Sequence, residues 1–225
     1  MTSSKSPRPC VIWGVTGQGR VVLDILGTEG VEVLCCFDND PTQKSLSREI
    51  PIAFGEDGLR SFVDSLPRLG FSVDQVDSVA AIGGGRGHER RQVSALMWSF
   101  GLSSRQVVHR TSVISRTADL GLACQVMAAV NIGPGARIGQ HVIINSGANV
   151  DHDCVIGDCS HLGPNAALAG EVTVGENVFI GTNATVLPRI NIGSGSTVGA
   201  GAVVTRDIPP NSVAIGVPAR VRGTR

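Results

Sequence analysis

The 225-residue chain balances nineteen Lys and Arg against nineteen Asp and Glu and is 42% hydrophobic, which excludes the single-sign field that gathers nucleic acid or holds a protein on an anionic membrane. The opening Met1–Pro9 is polar and broken by Pro7 and Pro9, and no apolar run after it is long enough for a signal sequence or membrane span, so a cytoplasmic protein is expected. Six cysteines (Cys10, Cys35, Cys36, Cys124, Cys154, Cys159) form no C-x-x-C pair and read as reduced, packed thiols without a structural zinc, while 29 glycines and 4% aromatic residues imply a narrow interior filled by small side chains.

In chain order, Cys10–Trp13 is an apolar strand, Gly14–Gly19 a glycine turn, and Val21, Val22, Ile25 and Leu26 fall at helical spacing. A second strand, Val31–Phe37, ends at Asp38-Asn39-Asp40-Pro41. A helix near Glu56–Leu66 precedes a third strand, Val76–Ile82, with Gly83-Gly84-Gly85 at its carboxyl end, and a last helix runs near His88–Phe100. Alternating strands and helices predict a parallel sheet that binds ligands at the carboxyl ends of its strands, where the glycine turn, Asp38 and Gly83 converge. The turn is open to three readings: a plain tight turn, a dinucleotide cradle with Asp38 on a ribose hydroxyl, or a site for a ligand linked to one nucleotide. The unit is only half of a dinucleotide fold, which favours the third.

From Val108 onward every sixth residue is Val, Ile or Leu, seventeen in succession to Val204. Four residues after each comes a position never larger than Ile: Ser112, Ala118, Cys124 and so on to Ile208. One large aliphatic and one small residue per hexad face inward, which is the signature of a solenoid of short strands and corners. The residue after the aliphatic one is often glycine (Gly133, Gly139, Gly157, Gly163, Gly175, Gly181), and is expected to permit the turns. No insertion interrupts the period. The chain thus divides into an α/β domain at residues 8–106, a repeat domain at 107–208 and a tail at 209–225.

The segment Asn145-x6-His152-Asp153, the following Ser160-His161, Ala169-Gly170 and the closing Gly216-Val-Pro-Ala219-Arg220 resemble the sialic acid O-acetyltransferase-like family of hexapeptide-repeat acyltransferases. Its members include N-acetyltransferases of nucleotide-linked 4-amino-4,6-dideoxy sugars, such as those acting on the UDP-linked sugar of bacillosamine synthesis and on GDP-perosamine. The resemblance spans nearly the whole chain. It implies a small Rossmann-like α/β domain followed by a left-handed parallel β-helix of three hexads per coil, assembled as a homotrimer with its tail packing near the coenzyme site. It also implies acetyl-CoA as co-substrate and a nucleotide-linked amino sugar as acceptor.

By position, the resemblance makes His152 the general base and Asp153 its supporting carboxylate. Gly170 offers a backbone N–H to the thioester, which His161 also meets, and Thr182 and Ala200 line the path of the coenzyme. Thr16, Gly17, Gln18, Asp38, Asn39, Gly83 and Asn145 match positions that contact the nucleotide sugar. Gln18 stands where relatives usually have His, and Asn39 where a second acid occurs, so the nucleotide and the sugar stay open.

The chemistry agrees independently. A sugar ammonium must lose a proton to become a nucleophile, and an imidazole of pKa about 6.5 accepts it near neutrality. Gly170 follows His152 by three hexads, one full coil, and is expected directly above it. O-acetylation of a sialic acid and a non-catalytic nucleotide-sugar scaffold are the competing readings. A metal site of the β-helical carbonic anhydrase kind needs three converging imidazoles, including a close pair absent here.

Overall fold

The computed structural model describes residues 7–224; the opening polar stretch before Pro7, and Arg225, lie outside them. The chain forms two compact units, one of the residues up to Ile82 with Glu89–Arg105, the other of Gly83–His88 with the residues from Gln106 on. The glycine run that begins at Gly83 therefore groups with the repeat.

The first unit is a five-stranded parallel sheet of β1 (Cys10–Trp13), β2 (Val33–Asp38), β3 (Ile52–Phe54), β4 (Asp77–Ala80) and β5 (Ser103–Ser104), in the order β3-β2-β1-β4-β5. Its helices are α1 (Gly17–Thr28), α2 (Gly55–Ser65) and α3 (Gly87–Ser99), the last entering this unit at Glu89. Burial on both faces explains why β1 reads as an unbroken apolar run. Trp13 stacks on Phe37 at 5.4 Å and Phe37 meets the Phe62 edge at 5.5 Å, which anchors α2 on the sheet. All six cysteines are buried and none forms a disulfide, and burial pushes the Cys35 thiol up to about 12. From β1 the chain moves outward to β2 and β3 and then resumes on the other side at β4, which opens a crevice at the carboxyl ends of β1 and β4.

The second unit is a left-handed parallel β-helix. Seventeen two-residue strands, β6 (Val107–Val108) to β22 (Val203–Val204), recur every six residues and stack into three parallel sheets. Each strand pairs with the one three hexads away, as Asn131 with Asn149 and Val155 with Thr173. From Cys124 on, both inward sets seen in the sequence are buried in one core, the aliphatic residues from Val126 to Val204 and the small ones from Cys124 to Ile208, with Ser160 and Ser196 among the latter. The tail extends this architecture: β23 (Ser212–Ile215) joins the edge of one sheet in parallel beside β21 (Thr197–Val198), and β24 (Arg220–Thr224) returns antiparallel to it. Among the described residues no helix is long and apolar enough to cross a membrane.

The glycines after the aliphatic positions act differently from the expectation. Gly133, Gly157 and Gly181 have no positive φ; the left-handed conformation falls two residues later, on every sixth residue from Ala123 to Gly201, including Asp153 (φ 58°) and Asn165 (φ 55°). The glycines are demanded instead by the closeness of the next coil. A Cβ on Gly157 would stand 2.5 Å from the carbonyl carbon of Gly175, and one on Gly181 2.5 Å from the amide nitrogen of Ala200. Backbone cannot yield there, so Gly157→Ala is expected to lower stability by about 1–3 kcal/mol. Gly27, near the end of α1, has open space at its Cβ position, and Gly27→Ala should raise stability by about 0.4–1 kcal/mol. The two midpoints of urea unfolding, moving in opposite directions at unchanged m-value, check this.

Candidate active site

In the β-helix the chain passes from β12 (Ile143–Ile144) in the eight-stranded sheet through one corner to β13 (Asn149–Val150) in the six-stranded sheet, then through a second corner to β14 (Val155–Ile156) in the five-stranded sheet. His152 and Asp153 occupy the second corner. Asp153 takes the left-handed position of the turn, a conformation that Asp tolerates better than most residues. There its Oδ2 lies 2.9 Å from His152 Nδ1. A carboxylate accepts, so Nδ1 donates and Nε2 keeps the free lone pair. The His152 amide donates to Asp151 Oδ1 at 2.7 Å, which fixes the backbone beside the ring.

Glycines make room on both sides of this pair. One coil earlier, a Cβ on Gly135 would stand 2.5 Å from Asp153 Oδ1; one coil later, a Cβ on Gly170 would stand 2.4 Å from His152 Nε2. The lone pair of the imidazole thus faces a residue with no side chain. The His152 pKa is raised from its ordinary value, chiefly by the hydrogen bond to Asp153 and further by the charges of Asp151, Asp153 and Glu171, while desolvation opposes the shift. Half of the His152 side chain is exposed (51%), so the ring is open to solvent.

A second set gathers at the other corner. Asn145 follows β12, Thr182 lies between β18 (Phe179–Ile180) and β19 (Thr185–Val186), and Ala200 between β21 and β22, all at the turn that joins the same two sheets. Backbone bonds tie each coil to the next at this corner, from Asn183 N to Pro164 O at 2.9 Å and from Gly201 N to Thr182 O at 2.8 Å. His161, in β15 (His161–Leu162), is buried at 5% exposure, with Nε2 3.2 Å from Asn145 Nδ2, Nδ1 3.2 Å from Gly84 O, and its ring edge-on to Phe179. Expected at the thioester, His161 has polar partners at both ring nitrogens. Within one chain, then, His152, Asp153 and Gly170 come together at one corner, and Asn145, His161, Thr182 and Ala200 at another.

In the first unit the glycine turn separates into two roles. A Cβ on Gly14 (φ 108°) would stand 2.6 Å from Ala81 O, and one on Gly19 2.1 Å from Gly14 O, so both serve the packing of the turn. Gly17 opens α1, is exposed and has nothing within 4 Å of its Cβ position, beside exposed Thr16 and half-buried Gln18. Asp38 reaches over the turn, Oδ2 accepting from Val15 N at 3.2 Å and Oδ1 from Asp40 N at 3.1 Å, while Asn39 is exposed beside it. The amide at the mouth of the turn is thus tied to an acid that ends β2.

Sequence reasoning passed over Gly135, Glu171 and Gly84. Gly135 and Glu171 were findable, since each stands three hexads from Asp153 in a chain whose strands pair at that interval. Glu171 Oε1 pairs with Arg189 Nη2 at 3.0 Å, one coil further along the same corner. Among the described residues no group of three or more His, Cys, Asp or Glu is placed to hold a metal ion.

The family model for the bacterial transferase hexapeptide (six repeats) matches residues 135–170 and 171–206. PerB from Caulobacter crescentus, crystallised with CoA and GDP-perosamine, is 37% identical, with 96% of this chain and 97% of that chain covered at a TM-score of 0.84. A histidine variant of the perosamine N-acetyltransferase from the same organism, with the same two ligands, is 38% identical at 96% and 97% coverage and a TM-score of 0.85. The acetyltransferase domain of PglB from Neisseria gonorrhoeae, in complex with acetyl coenzyme A, is 29% identical, with 96% and 99% covered and a TM-score of 0.82. The acyl-[acyl-carrier-protein]–UDP-N-acetylglucosamine O-acyltransferase of Thiobacillus denitrificans is 38% identical over 87 residues, 39% of this chain and about a third (34%) of that relative's length.

Proposed function

The chain belongs to the hexapeptide-repeat acyltransferases, alongside the perosamine N-acetyltransferase of Caulobacter crescentus, and from that premise we propose that it transfers the acetyl group of acetyl-CoA to the amino group of a nucleotide-linked 4-amino-4,6-dideoxy sugar. The observation that carries this reading is the His152–Asp153 pair, with its free Nε2 turned to the side-chain-less Gly170. Among the relatives that match over nearly their whole length, PerB was crystallised with CoA and GDP-perosamine and the PglB acetyltransferase domain with acetyl coenzyme A.

In this reading His152 Nε2 takes a proton from the sugar amine as its nitrogen attacks the thioester carbonyl. The C–N bond forms, the tetrahedral oxyanion is met by the Gly170 N–H, and collapse breaks the C–S bond; the leaving thiolate takes the proton from His152 Nε2 to give CoA, which restores the neutral imidazole. A fixed backbone donor of this kind is worth about 3–4 kcal/mol to the oxyanion. Asp153 holds the imidazole in the tautomer the step requires and favours the imidazolium that forms.

Because the base lies at one corner and Asn145, Thr182 and Ala200 at another, a site that uses both is completed by a second copy, and a closed threefold arrangement gives three equivalent sites. A homotrimer is the expected state in sedimentation; a chain that is monomeric at assay concentration and fully active refutes the shared site. The open turn at Thr16, Gly17 and Gln18, with Asp38 and Asn39 beside it, is the proposed cradle of the nucleotide sugar. Asp38→Ala is accordingly expected to raise the KM of the sugar about tenfold or more and to spare that of acetyl-CoA. Equal effects on both substrates count against the assignment.

The function itself is tested by acetyl-CoA turnover with UDP-, GDP- and dTDP-linked 4-amino sugars beside CMP-sialic acid. Acetylation of one amino-sugar nucleotide far above the rest is the expected result. Preference for the sialic acid would make the enzyme an O-acetyltransferase, and inactivity on all would leave a binding scaffold.

A further inference from the structure

A buried backbone amide is nearly always paired, and the peptide that joins Ala169 to Gly170 departs from this at its nitrogen. Gly170 is buried, yet among the described residues nothing accepts from its N–H. At the other end of the same peptide, Ala169 O accepts from Cys154 Sγ at 3.2 Å, and among the described residues no backbone amide donates to it. The peptides on either side are fixed by backbone alone. Ala169 N donates to Val186 O at 3.0 Å, Glu171 N to His152 O at 2.9 Å and Arg189 N to Gly170 O at 3.1 Å. Of these three peptides, the one whose nitrogen is free is the one held by a side chain.

A planar trans peptide sets its C=O and its N–H in opposite directions. Cys154 lies in the core of the coil, so a carbonyl drawn to its thiol turns the N–H away from the core. His152 is on that outer side, half exposed, with Nε2 2.4 Å from the place that a Gly170 Cβ would take. The device recurs at Ser160, another small inward position, whose Oγ donates to Gly175 O at 2.8 Å, fifteen residues on, and accepts from Val178 N at 3.0 Å. Cys154 stands in the same relation to Ala169, fifteen residues on, and to the amide of Val172.

We infer that Cys154 is a positioning residue for the oxyanion donor: from the core, its thiol holds the Ala169–Gly170 peptide so that the Gly170 N–H points to the place of acetyl transfer. The inference rests on the reading of that N–H as the group that meets the tetrahedral oxyanion. The role needs neither exposure nor ionisation, and burial keeps the sulfur protonated, as a donor must be. A bond to the carbonyl also polarises the peptide and makes its N–H the better donor.

Two substitutions test the thiol. Ala136 and Val172 stand one coil before and one coil after Cys154 in the same column, so Cys154→Ala fits the coil while removing the donor. Cys154→Ser keeps it. The alanine variant is expected to lose about three- to tenfold in kcat, with both KM values within about twofold of wild type, because the bond serves only the transition state. The serine variant is expected to turn over within about twofold of wild type. Neither should move the acidic limb of the pH profile, since a neutral thiol adds no charge beside His152. A side chain that merely fills the core would give the reverse order, with alanine harmless and the hydroxyl damaging. That order, a loss that falls on KM, or a shifted acidic limb overturns the proposal.

A measurement without turnover reads the peptide itself. The sequence holds two Ala-Gly bonds, 169–170 and 200–201, so alanine labelled at its carbonyl carbon and glycine labelled at nitrogen give two correlation peaks. Loss of a hydrogen bond moves a carbonyl resonance upfield. The Ala169 signal is expected to move that way in Cys154→Ala and not in Cys154→Ser, with the Ala200–Gly201 peak fixed in both. An Ala169 signal that stays in place in the alanine variant overturns the proposal. Were the wild-type enzyme inactive on every amino-sugar nucleotide, the functional reading would fall, while this measurement still decided whether the thiol holds the peptide.

Discussion

His152→Ala is expected to lower kcat by about 10²- to 10⁴-fold, the usual cost of losing a general base, while both KM values stay within about twofold of wild type. The expectation rests on the proton assignment at the second corner. Nδ1 is committed to Asp153 at 2.9 Å, so Nε2 is the basic atom, and Gly170 keeps the space in front of it clear. The one thiol beside this pair is unsuited to a covalent route. Cys154, the neighbouring thiol, faces the core, donates to Ala169 O at 3.2 Å and has its pKa raised by burial, the opposite of what a nucleophilic thiolate needs. Radiolabelled acetyl retained on the protein when acetyl-CoA is supplied without acceptor would sink direct transfer, as would near-normal turnover by the variant.

The pH profile of kcat/KM tests the supporting carboxylate in the same experiment. In the proposed mechanism the imidazole accepts a proton only when neutral, so activity is expected to fall as pH drops through the His152 pKa, which is raised chiefly by the hydrogen bond to Asp153. Asp153→Asn removes the cause of the rise, so the acidic limb is expected to move to lower pH, with a smaller fall in kcat than His152→Ala produces. A limb that stays in place would mean that another group sets it.

The β-helix was legible because every coil repeats one steric demand. A narrow interior accepts one aliphatic and one small residue per hexad, and the sequence meets that demand without a break from Val126 to Ile208. The His152–Asp153 pair was legible through the family resemblance and its relation to Gly170 through the repeat, since the pairing of strands three hexads apart converts sequence offset into vertical distance. What the glycines after the aliphatic positions do was not. A pattern records that a side chain is missing, and only coordinates distinguish a turn that needs positive φ from a coil that comes within 2.5 Å. In the α/β unit, β3 and β5 escaped notice because three and two residues carry no periodicity; pairing with β2 and β4 makes them strands. The contact between Gly84 O and His161 was beyond reach, because nothing in a carbonyl's sequence context announces which imidazole it will meet.

Gly170→Ala is expected to be nearly as damaging to turnover as loss of the imidazole, yet almost silent in stability. An added Cβ would stand 2.4 Å from Nε2, 2.6 Å from Cε1 and 3.0 Å from Cδ2 of His152. The obstructed group is thus a side chain, half of it in solvent, which swings aside at little cost to the coil; at Gly157 the obstacle is backbone. Swinging aside separates Nδ1 from Asp153 and carries Nε2 away from the amine, and a misplacement of about 1 Å already costs about 10²-fold in rate. A fall in kcat of about 10²-fold or more is therefore expected, with the unfolding free energy within about 1 kcal/mol of wild type. Because the methyl group acts only through the ring, His152→Ala with Gly170→Ala should be no slower than His152→Ala alone. Normal turnover by Gly170→Ala would mean that the space above the imidazole is not where acetyl transfer takes place, and effects that add in the double variant would mean that the methyl group obstructs more than the ring.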